Sequence, residues 1–191
     1  MEFPINASYI NDFLFCPYSI MIHGMYEDMP KSVYQSDSQI LGTYSHNENK
    51  TDFKFKQNNF DIDDTITEEC YYSSTYNVLA IIDCYNINSK ILIEKKRKIK
   101  DIYKGYIFQL YAQYYSLKDN GIEVDKLCIY SILDDEYYYI PLPEKNKQLK
   151  REFEVVLYEI RHFQLEKFYQ SNYEKCKNCI YSNLCDRSLN D

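Results

Sequence analysis

The chain has 191 residues, of which 45% are hydrophobic and 27% charged, with a formal net charge of −7. Those values suit one globular domain of ordinary size and exclude a disordered chain, a collagen-like repeat and a coiled coil. The acidic total disfavours loose binding of nucleic acid over the whole surface, although it leaves room for a local basic groove.

The start of the chain lacks the basic segment and apolar core of a signal peptide, so a cytoplasmic location is expected. No run of eighteen apolar residues occurs, so no membrane-spanning helix is expected. Residues 9–25 read as helical, with Ile10, Phe13, Leu14, Pro17, Ile20 and Met21 at spacings of three and four. Asn6 or Ser8 is the candidate cap, and Pro17 predicts a kink or a restart just after Cys16. Residues 28–40 read as a loop, 39–47 as the start of a helix, and 47–64 as polar and irregular. Residues 70–74 and 78–85 are rich in β-branched and aromatic side chains, as strands are. The turn Asn86-Ile87-Asn88-Ser89 then joins 78–85 to a strand at 91–96 as a hairpin. A helix is predicted over 102–117, stopped by Asn120-Gly121. Residues 124–133 and 137–140 form a second strand pair around Asp134-Asp135. A long amphipathic helix over 146–169 and a short cysteine-bearing tail complete the chain. This order predicts a mixed α/β fold around a central sheet.

The chemistry concentrates in the middle. Asp83 ends one apolar strand, and Glu94-Lys95-Lys96 ends the next. Because strand side chains alternate, Glu94 and Lys96 share a face and Lys95 points away. Two carboxylates and a lysine at the end of buried strands suit a divalent cation such as Mg²⁺ or Mn²⁺ acting on a phosphate. The same pattern also arises by chance on solvated strands. Upstream, Gly42-Thr43-Tyr44-Ser45-His46 supplies a histidine as a further candidate ligand. His23 and His162 read as surface or packing residues. Gln109 and Gln113 lie one helical turn apart on one face and are candidates to bind phosphate or a nucleic-acid backbone. A basic run of Lys90, Lys95, Lys96, Arg97, Lys98, Lys100 and Lys104 adjoins them, and Tyr103, Tyr106 and Tyr111 are candidates to stack unpaired bases. With only 4 glycines and no phosphate-loop pattern, a P-loop or Rossmann nucleotide site is not expected.

The chain has 7 cysteines, an odd number. Cys176-x-x-Cys179-x5-Cys185 gathers three of them in a tail of low apolar content, where core burial explains them poorly. Zn²⁺ and an iron–sulfur cluster both prefer four thiolates, and Cys16, beside Pro17, is the best fourth ligand. Cys70, Cys84 and Cys128 fall in strands and read as small buried hydrophobes. Cys84 is expected to face away from Asp83.

Taken together, Gly42-x-x-x-His46, Asp83, Glu94-x-Lys96 and Gln109-Leu110-Tyr111-Ala112-Gln113 resemble the successive motifs of RecB-type nucleases. Cys16-Pro17 with the C-terminal triplet resembles the cluster cage of the CRISPR-associated RecB-like exonucleases, family four of the CRISPR adaptation proteins. The resemblance implies a restriction-endonuclease-like core at 41–165, a helical cap at 1–40 and a cysteine tail at 166–191, all within a single nuclease domain. It implies metal-dependent cleavage of single-stranded or overhanging DNA, trimming spacer precursors in association with the CRISPR integrase. An alternative is a weakly catalytic or non-catalytic reader of DNA ends. On this resemblance His46, Asp83, Glu94 and the Lys95 carbonyl are ligands of Mn²⁺ or Mg²⁺, and Asp83, Glu94 and Lys96 are the catalytic set. Gln109 and Gln113 are the supporting motif and, with Arg97, Lys98 and Lys100, make up the DNA-binding and support set, while Cys16, Cys176, Cys179 and Cys185 hold a [4Fe–4S] cluster. Two departures are Ala80, where the family commonly has Gly, and Gln113, where many members have Tyr.

Overall fold

A computed structural model describes residues 3–26 and 64–190. The expectations placed on 27–63, including Gly42 and His46, lie outside the described residues. Strand β1 (Ile5–Asn6) leads into α1 (Ala7–Phe15) and α2 (Pro17–Tyr26). The predicted restart is present. Cys16 is extended at φ −159°, ψ 112°, and Pro17 occupies the first helical position, where its missing N–H costs nothing.

Strands β2 (Thr65–Ile66), β3 (Cys70–Ser73), β4 (Val78–Ile81), β5 (Cys84–Asn86) and β6 (Ile91–Lys96) follow. The strand expected over 78–85 is therefore two strands, and they belong to different sheets. Strands β1, β4 and β3 form a three-stranded sheet, while β5 enters a five-stranded sheet of order β2-β5-β6-β7-β8. The break falls at Ile82-Asp83. There Ile82 exchanges backbone hydrogen bonds with Glu68 and Glu69 at 2.7 and 2.9 Å, and its side chain is fully buried. That anchor lets the chain turn at Asp83 from one sheet into the next. The hairpin of β5 and β6 is as expected, with Cys84 opposite Ile93. Asn86 Oδ1 accepts from the Ser89 N–H and hydroxyl at 2.8 and 2.7 Å, which closes the turn.

Helix α3 (Lys104–Asp119) connects β6 to β7 (Lys126–Ser131), which lies parallel to β6. Parallel neighbours require such a crossover. Gly121, at φ +77°, ends α3 as the sequence indicated. Strand β8 (Glu136–Ile140) pairs antiparallel with β7. Helix α4 (Lys147–His162) is capped by Asn146 Oδ1, which accepts from the Leu149 N–H at 3.0 Å. It stops short of the expected residue 169, because Phe163 leaves helical geometry to pack edge-on against Phe13 at 5.4 Å. A 3₁₀ turn (Leu165–Lys167), helix α5 (Tyr173–Lys177) and a second 3₁₀ turn (Ser182–Leu184) form the tail.

The main core joins both sheets to α1, α3 and α4, with Ile10, Phe108, Tyr111 and Phe153 at its centre. Gly105 makes α1 and α3 close neighbours. A Cβ there would overlap the Asn11 amide and lie 3.1 Å from its Cα. The N-terminal helices thus divide. Helix α1 belongs to the main core, whereas Tyr18 and Ile22 of α2 pack with Tyr181 of the tail.

Candidate functional site

Strand alternation builds the site on one face of the five-stranded sheet. Leu92 sits in the main core beneath α3, and Ile91 and Ile93 face the opposite side with Cys84 and Cys128. Glu94 and Lys96 therefore continue the Leu92 face. One step beyond the Cys84–Ile93 pair, Asp83 falls opposite Glu94. Cys84 faces away, as expected, and burial pushes its thiol up to about 11.

Lys96 Nζ donates to Glu94 Oε1 at 2.7 Å and to Gln109 Oε1 at 3.2 Å. Gln113 Nε2 donates to the other Glu94 oxygen at 2.6 Å and to the Ile81 carbonyl at 3.2 Å. The Lys95 N–H donates to Asp83 Oδ2 at 3.0 Å. Tyr106 presents its ring to the lysine, with Nζ 4.9 Å from the centroid. Glu94 is 1% exposed and the Lys96 side chain 19%.

The electrostatics follow from burial. Desolvation and the neighbouring Glu94 carboxylate push the Asp83 carboxyl up to about 7. Burial pulls the Lys96 ammonium down, but the charge and hydrogen bond of Glu94 outweigh it and hold Lys96 above its ordinary value. Two crowded carboxylates with hard oxygen donors fit a Mg²⁺ or Mn²⁺ ion, which would relieve their repulsion.

The structure thus brings Asp83, Glu94, Lys96, Gln109 and Gln113 together, along with the Lys95 backbone. The two glutamines sit as supports of the lysine and the carboxylate. Gln113 is wholly buried against Glu94, out of reach of any substrate, and Gln109 holds Lys96. The Gln113 Oε1 atom has no hydrogen-bond partner among the described residues. The basic run is not a free positive strip. Lys90 pairs with Glu123, Lys98 with Asp134 at 3.8 Å, and Lys104 with Glu152 at 2.9 Å. Among the described residues Arg97 and Lys100 make no ion pair, and Lys98 and Lys100 are exposed. Tyr111 is a core residue that donates to the Pro141 carbonyl at 2.9 Å, whereas Tyr103 is 55% exposed.

Asp12 was invisible to sequence reading. It lies on α1 within electrostatic range of Lys96 and His23, and burial raises its carboxyl while their charges lower it. A single acid on an amphipathic helix gives no signal that separates it from a solvated one. His23 accepts or donates at 2.6 Å to the Tyr181 hydroxyl, and His162 stacks on Tyr158, so both pack as expected.

Cys16, Cys176, Cys179 and Cys185 line one cavity of about 20 Å³, and all four are free thiols. Burial pushes the Cys179 thiol up to about 11, with smaller contributions from the charges of Cys16, Cys185 and Cys176. Among the described residues no group of three or more His, Cys, Asp or Glu stands at metal-holding separations. The four-thiol donor set nonetheless suits a soft metal or cluster. Cys128 is buried as expected, but Cys70 is exposed, because it opens β3 on that strand's outer face.

No family model and no curated protein matches this chain. Among solved structures, the crystal structure of SSO0001 is similar in fold, at 20% identity and a TM-score of 0.59, covering 99% of this chain and 89% of that one. The chain has a mixed α/β fold. Among the described residues no helix is long and apolar enough to cross a membrane.

Proposed function

We propose that this chain is a divalent-metal-dependent deoxyribonuclease with a RecB-type core, acting on single-stranded or overhanging DNA in the cytoplasm. The observation that carries the reading is the buried convergence of Asp83, Glu94 and Lys96, with both Glu94 oxygens and the lysine fixed by hydrogen bonds. Asp83 and Glu94 would hold the ion, joined by the Lys95 carbonyl and His46. When bound, such an ion neutralises charge on a phosphate and makes a water more acidic.

The chain's own residues supply the rest. Gln113 and Lys96 lock the Glu94 carboxylate into one orientation, so it needs no rearrangement to serve as a ligand. Lys96 places a positive charge where a phosphate oxygen or the attacking oxygen gathers negative charge. Gln109 keeps that ammonium from swinging toward solvent. The four cysteines would hold a [4Fe–4S] cluster that ties α2 to the tail, with no part in hydrolysis. The resemblance to CRISPR adaptation nucleases extends the proposal to spacer precursors as substrate and the CRISPR integrase as partner.

The test is a time course on end-labelled single-stranded DNA with Mn²⁺ or EDTA, comparing the wild type with Glu94→Ala after anaerobic purification. Mn²⁺-dependent products that vanish in Glu94→Ala are expected. Equal cleavage by the two proteins would overturn the site.

A further inference from the structure

A groove of about 710 Å³ lies between α1, the start of α3 and α5. Its walls include Asn11 and Asp12 of α1, Tyr103, Lys104 and Tyr106 at the start of α3, and Lys175 of α5. Tyr106 connects it to the site described above, because the ring that lines the groove is the one beside Lys96 Nζ. Tyr103 stands edge-to-face with Tyr106, their centroids 5.5 Å apart at 83°, and the residue is more than half exposed. The two ammonium groups are tethered rather than mobile. Lys104 pairs with Glu152 at 2.9 Å, and Lys175 donates to the Leu14 carbonyl at 3.1 Å.

An exposed aromatic residue braced from behind, the Lys175 ammonium held by a neutral carbonyl, and a carboxylate acceptor in Asp12 form a set suited to a nucleotide. The ring stacks a base, an ammonium meets a phosphate, and a carboxylate accepts from a base amino group. A paired base has its faces covered by its neighbours, so stacking of this kind selects an unpaired strand.

We infer that this groove seats the unpaired strand next to the scissile phosphate, with one base stacked on Tyr103. The inference rests on the nuclease reading for its direction, since Tyr106 both lines the groove and stands beside Lys96 Nζ. Tyr103 makes no contact with the reacting atoms, so it acts on strand binding and not on chemistry.

The experiment uses the full chain and single-stranded DNA carrying 2-aminopurine at successive positions, without added Mn²⁺. Quenching is expected at one position in the wild type. Tyr103→Ala should lose that quenching and bind roughly five- to a hundredfold more weakly, while Tyr103→Phe keeps both. With Mn²⁺ added, Tyr103→Ala should raise KM and leave kcat near the wild type. An unchanged quench and affinity in Tyr103→Ala, with wild-type cleavage intact, would overturn the groove and leave the nuclease standing. Tyr103-dependent quenching without cleavage would keep the groove and remove the hydrolytic reading. Absence of any DNA binding by the wild type would overturn both.

Discussion

Lys96 Nζ lies 2.7 Å from Glu94 Oε1, two residues earlier on the same strand, and Glu94 is 1% exposed. A carboxylate buried to that degree survives as a charge only with a partner that repays its desolvation. The lysine proposed for chemistry is therefore also the counter-charge that keeps the site folded.

Lys96→Ala should then do two things. It should abolish metal-dependent cleavage, and it should destabilise the protein by about 3–5 kcal/mol, because Glu94 is left buried and unpaired. The double variant Lys96→Met with Glu94→Gln removes both charges. It should recover most of the stability and none of the cleavage. Urea unfolding of the three proteins checks this, and a stable Lys96→Ala would show that the pair carries little energy.

The glutamines separate positioning from substrate contact. Gln113→Leu removes the donor to Glu94 Oε2 and leaves a buried lone pair unmet. Loss of such a supporting partner typically costs 10–100-fold in activity or metal affinity. The loss should fall on kcat and on the apparent Mn²⁺ affinity, with DNA affinity unchanged. Gln109→Leu frees the ammonium from its 3.2 Å tether and should cost less. Steady-state kinetics titrated in both metal and DNA resolves the two effects.

Much of this arrangement was legible in the sequence because period-two alternation is local. Glu94 and Lys96 had to share a face, and Cys84 had to turn from Asp83. The Pro17 restart and the Gly121 stop were likewise written in single residues. The split of 78–85 between two sheets was not legible, since Ile82 and Asp83 continue a strand-like pattern and only the Glu68 and Glu69 backbone makes the break. The early end of α4 depends on Phe13 reaching Phe163 across some 150 residues of chain. The partners of the glutamines were not legible for a related reason. A helical face shows which residues travel together but not what lies beneath them. Cys70 fell to the limits of β-strand patterning, because a strand that is half exposed hides its outward face from composition.

The Asp83 carboxyl gives the site a pH signature. Its folded value is pushed up to about 7 from 3.8, by burial first and by Glu94 second. A raised acid binds its proton more tightly in the folded than in the unfolded chain. This group's contribution therefore favours the folded state below the unfolded value and is lost as pH rises toward 7, at up to about 1.4 kcal/mol per unit. A divalent ion binds the ionised form, so it must displace that proton. Apparent Mn²⁺ affinity should fall as pH drops below 7, by up to about tenfold per unit. Calorimetric titration in buffers of different ionisation enthalpy should register proton release on metal binding near pH 6. Asp83→Asn should release no such proton, and an equal release from both proteins would place the titrating group elsewhere.

The cysteines divide into three environments, and substitutions should report each one. Cys16, Cys176, Cys179 and Cys185 share one cavity lining, and the same region packs Tyr18 and Ile22 against Tyr181. If these four thiols hold a cluster, its ligation joins α2 to the tail across most of the chain, and its free energy is part of the folding free energy. Anaerobically purified Cys179→Ala should lose visible colour, iron and sulfide together, and its melting temperature should fall. Cys84 and Cys128 are buried on the far side of the sheet, so Cys128→Ala should cost stability through a small cavity and leave iron content unchanged. Cys70 is exposed, and Cys70→Ala should change neither. Stoichiometric zinc without sulfide in the wild type would replace the cluster with a single metal ion in the same cage. Wild-type protein with neither would leave the four cysteines as packing residues, and Cys179→Ala would then resemble Cys128→Ala.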